Sequence, residues 1–302
     1  MPQGAGYVSP PPVPPLLAHA PDKQEIALLS NAVNLLLPLA EHGEGDGVFH
    51  APGIEEFLGL PALFFEGTPF EINRIILVRL VAIAIMLVLF YLALRKAKRI
   101  PGRGQGVAEM ALEFVKVQVV DQVLGEKLGR KYLPILASIF FAVIATNITG
   151  IIPGLNIAGT AIFGMPLVLG LVAYVTFIYA GFREVGGRKF LKNALLPSGV
   201  PWPVYIILTP VEFLNIFIVR PVSLALRLLL NMMVGHLLLV LCFSATHFFF
   251  FTADGWFSLF GVGTLLGGFI FTIVELAVAV LQAYIFTLLT AVYIQQSAAE
   301  EH

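Results

Sequence analysis

The 302-residue chain is poor in charge: 12% of it is Asp, Glu, Lys or Arg, against 58% hydrophobic residues, where an average soluble domain is roughly a quarter charged. That balance excludes a soluble globular protein. There is one cysteine, Cys242, which excludes an intrachain disulfide and a cysteine-built metal cage. Lying inside an apolar run, it reads as small core filler. No basic residue follows Arg227, and residues 1–71 contain a single one, Lys23, against nine Asp and Glu. A secretory signal is not expected either, because no net positive charge precedes the run Ile26 to Leu39, Lys23 being offset by Asp22 and Glu25, and the run is interrupted by Ser30, Asn31 and Asn34. That run is also too short to span a bilayer. A phosphate-binding Gly-Lys-Ser/Thr loop is missing, so nucleotide chemistry is not expected from this chain; the glycines from Gly102 to Gly106 read as a linker.

What the sequence does contain is a series of apolar runs long enough to cross a membrane, since about 20 residues of helix cover the ~30 Å hydrocarbon core. Ile75 to Leu94 and Leu224 to Phe251 are apolar on every face, which excludes the alternating pattern of a transmembrane β-barrel. The expected fold is an all-α polytopic membrane protein with about five transmembrane helices and one amphipathic helix on the cytoplasmic surface. Residues 1–71 form a separate outer region, whose first 21 residues hold seven prolines and read as an extended tail. His19, His42 and His50 are scattered there without metal-ligand spacing. The membrane domain is 72–302.

Ile72 to Leu94 is the first span, ending in the cluster Arg95, Lys96, Lys98, Arg99 and Arg103, which the positive-inside rule puts in the cytoplasm. The N-terminus is then outside. From Gly106 to Lys131, Val107, Met110, Phe114 and Val117 recur at helical spacing opposite Glu109, Glu113 and Lys116. The expected element is an interfacial helix, with a solvated connector as the alternative. Leu133 to Pro153 and Ile162 to Phe182 are the second and third spans, the latter followed by Arg183, Arg188, Lys189 and Lys192. Pro203 to Val219 is apolar but punctuated by proline, holds Glu212 and runs into Arg220; it either crosses or lies along the leaflet. Val222 to Phe251 and Trp256 to Ile294 are about 45 and 58 Å long if helical, so both must tilt strongly or protrude. The C-terminus is cytoplasmic. Gly263 and Gly267 form a small-xxx-small pair suited to helix packing.

Ionisable side chains inside spans cost about 2.5–3.5 kcal/mol each even on the lenient insertion scale, so each needs a reason. The last two segments carry Arg227, His236 and Glu275, with Ser223, Asn231 and Gln282. Arg227 and Asn231 share a helix face, His236 points to the opposite face, and Glu275, Gln282 and Tyr293 lie on one stripe. If the two segments run antiparallel with Gln282 level with Arg227, Glu275 reaches the depth of His236. A histidine beside a carboxylate can pass protons near neutral pH, whereas an arginine that never releases its proton can attract a carboxylate and interrupt a proton wire. Each of the three could instead be a satisfied structural group. Their combination points to a proton pathway.

The run Arg220-Pro-Val-Ser-Leu-Ala-Leu-Arg-Leu-Leu-Leu-Asn-Met-Met-Val-Gly-His236, followed by Leu281-Gln-Ala-Tyr-Ile-Phe-Thr-Leu-Leu-Thr-Ala-Val-Tyr293, resembles subunit a of F-type ATP synthase. The likeness covers the last 100 residues well, Arg74 to Lys192 more loosely, and the first 60 hardly at all. It implies a proton-translocating stator subunit with two offset half-channels against a ring of c subunits, 197–302 being the translocating core. By that resemblance Arg227 faces the ring carboxylate and blocks leakage. Asn231 and Gln282 are its polar neighbours, and His236 and Glu275 line the outer half-channel, with Ser223 and Asn147 also on the proton pathway. Where some members hold an acid this chain has Gly150, and the usual Phe is Leu229. Implied partners are the c-subunit ring, peripheral-stalk b subunits, the rest of the complex and the lipid bilayer of a bacterial plasma membrane. No nucleic acid, cofactor or metal is implied, and the chain is not catalytic by itself.

Two rivals from other classes predict different patterns. A proton-coupled secondary transporter, with Arg227 binding an anionic substrate, calls for internal repeats and broken helices in both halves, and the sequence shows no such repeat. A structural scaffold has no use for Arg, His and Glu at the centre of two spans.

Overall fold

In hydrocarbon every backbone N–H and C=O must find its partner within the protein, so long apolar segments fold as helices. The computed structural model describes residues 62–64, 72–95, 102–152, 160, 163–196, 202–252 and 255–299, all within one compact unit, Asp46–His302. Almost all of the proline-rich, acidic N-terminal region, its three histidines, and Lys96, Lys98 and Arg99 lie outside the described residues. A short antiparallel ribbon of β1 (Ala62–Phe64) and β2 (Ile72–Asn73) leads into the helices. Five helical stretches are long and apolar enough to cross a membrane.

The first is α1 (Arg74–Leu94), which packs on the next span with Phe90 against Phe141, ring centroids 4.5 Å apart. The second begins as α2 (Arg103–Val115), passes through a π-helical turn at Lys116–Asp121 and continues as α3 (Gln122–Ile148). It is bent at Gly125, whose φ of 70° and ψ of 179° leave the helical region. Only a residue without Cβ adopts that conformation at little cost. Beyond the bend the chain doubles back closely enough that a Cβ on Gly129 would stand 2.8 Å from Val120.

The stretch expected as an interfacial helix is helical as α2, but it packs on the protein by a face other than its apolar stripe. Its apolar stripe Val107, Met110, Phe114 and Val117 stays exposed, while Gln105, Ala108, Val115, Val119 and Val120 turn into the protein. Small and β-branched residues let this second face lie flat on the core. Its stripe is left for lipid, and only Phe114 also reaches inward, to Phe140 and Tyr284.

The third span, α4 (Gly164–Gly181), ends in a π-helical turn at Phe182–Gly186 and gives way to a short basic helix, α5 (Gly187–Leu195). The fourth stretch resolves the ambiguity over Pro203 to Val219. That segment is α6 (Trp202–Leu214), and it runs without a break through a π-helical turn at Asn215–Val219 into α7 (Arg220–Phe251). It is an extension of α7 and not a sixth span. Pro203 sits in the first turn, where a missing N–H costs nothing. A 3₁₀ turn at Gly255–Leu259 leads into α8 (Phe260–Ala298). At 32 and 39 residues, α7 and α8 are about 48 and 58 Å long, longer than the bilayer core is thick.

Helices α7 and α8 share the most extensive interface, α3 packs along α8, and α4 lies against both. The core where they meet contains Leu136, Val143, Phe177, Leu224, Leu228, Ala283, Phe286 and Ile294. Gly170 of α4 allows a close approach to α7, since a Cβ there would stand 3.1 Å from the Pro221 carbonyl.

Candidate functional site: the seam between the last two helices

The seam between α7 and α8 is built by pairing large side chains with glycines. Phe250 lies over Gly261 and Phe243 over Gly268, each so close that a Cβ on the glycine would stand 3.1 Å from the ring. The two phenylalanines are seven residues apart, as are the two glycines, so two turns of one helix interlock with two of the other. Between them the Thr246 hydroxyl donates to Thr264 Oγ1 at 2.9 Å. Gly263 and Gly267, expected to be the packing pair, are not. A Cβ on Gly263 would meet nothing within 4 Å, and one on Gly267 only the Cys242 sulfur at 4.0 Å. They are rotated off the seam that Gly261 and Gly268 occupy.

Further along, the same device carries a carboxylate. Gly235 faces Glu275, whose Oε1 would stand 3.3 Å from a Cβ at that position. One turn beyond, Asn231 Nδ2 donates to Gln282 Oε1 at 2.9 Å. As the partners advance along α7 they retreat along α8, so the two helices are antiparallel. The Gly–Phe and Gly–Glu pairs fix the register, and it differs by one turn from the expected one. Gln282 stands level with Asn231, not with Arg227. Glu275 nevertheless reaches the depth of His236, because it rests on the adjacent Gly235.

His236, Glu275 and Gln282 are 4%, 3% and 2% exposed. Both Glu275 oxygens and Gln282 Nε2 make no hydrogen bond among the described residues, so no direct bond joins Glu275 to His236. A buried carboxylate without a donor is costly unless it takes up a proton or receives one from a mobile carrier. On the other side of α7, Arg227 and Asn231 are exposed, bordered by the exposed Leu226, Leu230 and Val234. Arg227 forms no ion pair among the described residues. Nine residues of helix thus separate an outward-facing guanidinium from an inward-facing imidazole. The Asn231–Gln282 bond connects the two sides.

The remaining site residues are more distant. Ser223, half-buried, donates to the Arg220 carbonyl at 3.0 Å. Asn147, fully buried at the end of α3, accepts from Thr160 Oγ1 at 2.5 Å while its Nδ2 has no partner among the described residues. Among the described residues no hydrogen bond connects it to the seam. Sequence reasoning missed Thr160, since nothing in the sequence around it signals that one hydroxyl is buried. It also missed the contacts of Arg220, which lies 3.9 Å from Glu212 and stacks over the Tyr293 ring at 5.1 Å. Tyr293 in turn meets Phe177 of α4 edge-on. Among the described residues no group of three His, Cys, Asp or Glu could hold a metal ion.

Fold and seam together define a polytopic helical membrane protein with ionisable groups buried between its last two spans and an arginine facing outward beside them. Comparison with known proteins makes this specific. The family described as ATP synthase A chain matches residues 76–295. ATP synthase subunit a of Rhodococcus erythropolis is 44% identical over 255 residues, covering 84% of this chain and 92% of that protein. The subunit a proteins of Streptomyces lividans and Pseudarthrobacter chlorophenolicus are 36% and 34% identical, each over 260 residues. These alignments cover 84% and 86% of this chain and 89% and 97% of those proteins. The chain belongs to the ATP synthase A chain family.

Proposed function

We propose that the chain is the proton-translocating stator subunit of an F-type ATP synthase, embedded in a bacterial membrane, and that the α7–α8 seam is its proton pathway. The observation that carries this reading is the division of polar groups about α7, with His236 and Glu275 buried against α8 and Arg227 exposed on the opposite side. A proton arriving from the outer side is held at the His236–Glu275 level and then passed to a carboxylate on a neighbouring c-subunit ring. Arg227 attracts the ionised form of that carboxylate and, being permanently protonated, stops protons from running straight between the two half-channels. Asn231 and Gln282 keep the two sides in register, with Ser223 one turn before Arg227 and Asn147 nearer the outer surface. The basic loops face the cytoplasm, which puts the N-terminus outside and the C-terminus inside.

Nucleotide chemistry belongs to partner subunits, and peripheral-stalk b subunits hold this chain against the turning ring. Each proton crossing the full potential releases about 2.3 kcal/mol per 100 mV, so several must act per nucleotide made. Arg227→Ala in the assembled complex tests the assignment. Coupled ATP synthesis in energised vesicles should fall to background while the complex remains intact, and retained synthesis would refute the role given to Arg227.

A further inference from the structure

Helix α5 has no part in the seam, yet its surface is highly organised. Gly186, at φ 89°, turns the chain sharply after α4, and the Phe190 and Phe182 rings each occupy the space where a Cβ of Gly181 or Gly187 would be. This interlocking folds α5 back onto the last turn of the span, so the helix cannot rise away from the end of α4. Its buried side is Phe190. Arg188, Lys189 and Lys192 project from the other side, and all three are exposed. Leu191 and Leu196 beside them are exposed too. Among the described residues none of the three cations forms an ion pair, and the nearby acid, Glu184, is taken by Lys131.

The depth of this cluster is marked independently. Tyr179 is half-exposed at the end of α4, and Arg183 donates to its hydroxyl and stacks on its ring at 5.7 Å. A tyrosine and an arginine paired at the end of a span sit at the level of the lipid headgroups. Five residues after Arg183 the α5 cations begin.

We infer that α5 is a binding surface for anionic phospholipid headgroups, with Arg188, Lys189 and Lys192 holding phosphates and Leu191 and Leu196 dipping into the acyl boundary. Charge complementarity supplies the attraction, and the tether to α4 supplies the proximity. The inference is independent of the proton pathway, because no residue of the seam takes part.

The test uses the whole complex in vesicles, with a fluorophore on Leu191→Cys in a Cys242→Ala background. Brominated phosphatidylglycerol or brominated phosphatidylcholine serves as the quencher. With about 1 kcal/mol per cation near a charged surface, phosphatidylglycerol should be preferred about fivefold or more, and salt should reduce the preference. R188Q/K189Q/K192Q should bring the ratio to unity, and R188K/K192R should preserve it. Equal quenching by the two lipids in the native chain overturns the inference, as does a ratio indifferent to salt. Quenching by neither lipid also overturns it, because a protein partner then covers the face. If the triple variant does not assemble, the salt series and R188K/K192R decide.

Discussion

The two ends of the α7–α8 seam use one packing device for different ends. Near Phe250 and Phe243 a glycine receives a phenyl ring, and near Gly235 it receives a carboxylate. In the first case close approach gains dispersion and excludes lipid. In the second it seats Glu275 where a Cβ of Gly235 would stand 3.3 Å from Oε1, and the carboxylate is buried there without a hydrogen bond among the described residues. Small residues that let helices approach in a membrane thus define both close apolar contacts and the place of a buried carboxylate. A glycine in this seam should therefore be judged by what it faces.

The same steric insult delivered at the two ends separates these roles. Gly235→Val should have the largest effect, displacing Glu275 and lowering proton conduction by about tenfold or more, in line with the cost of misplacing a reacting group; passive proton flux through the assembled complex measures it. Gly268→Ala forces Phe243 aside and should cost about 1–3 kcal/mol of stability by overpacking, read as a lower thermal midpoint of the complex with conduction per intact complex unchanged. Should Gly268→Ala instead stop conduction while Gly235→Val spares it, the division of the seam is wrong.

Two finer changes sharpen the contrast. Asn231→Leu leaves buried Gln282 Oε1 without its donor and should cost about 1–3 kcal/mol, with a larger loss of coupling than of stability, checked by comparing ATP-driven proton pumping with thermal unfolding. Thr246→Val removes a hydroxyl bond in the apolar end and should cost only about 0.6 kcal/mol, the average for interhelical hydrogen bonds in a membrane. Proton pumping should be unaffected.

Much of this architecture was legible from sequence for a physical reason. Apolar runs leave helices as the only choice in a bilayer, and an Arg, a His and a Glu inside them declare themselves by their cost. Helical spacing alone separates Arg227 from His236 by half a turn of azimuth. What escaped depended on tertiary detail. Pro203 and Pro210 suggested a segment apart from α7, but Pro203 sits in a first turn, Pro210 is accommodated inside the helix, and the chain continues through Asn215–Val219. The register of α7 on α8 is set by Gly235, Gly261 and Gly268, and a glycine discloses its neighbour only once both helices are in place. The inward face of α2, built on Ala108, Val115 and Val119, was hidden behind a more hydrophobic stripe that faces away from the core.

The central claim is that the buried His236–Glu275 level carries protons. It is tested most directly by proton flux in vesicles containing the whole complex with its water-soluble head removed, comparing the native chain with Glu275→Gln and His236→Ala. Loss of flux in both variants, with assembly intact, is the expected result. Undiminished flux in both would contradict the account, making the pair structural and sending protons by another route, past Asn147.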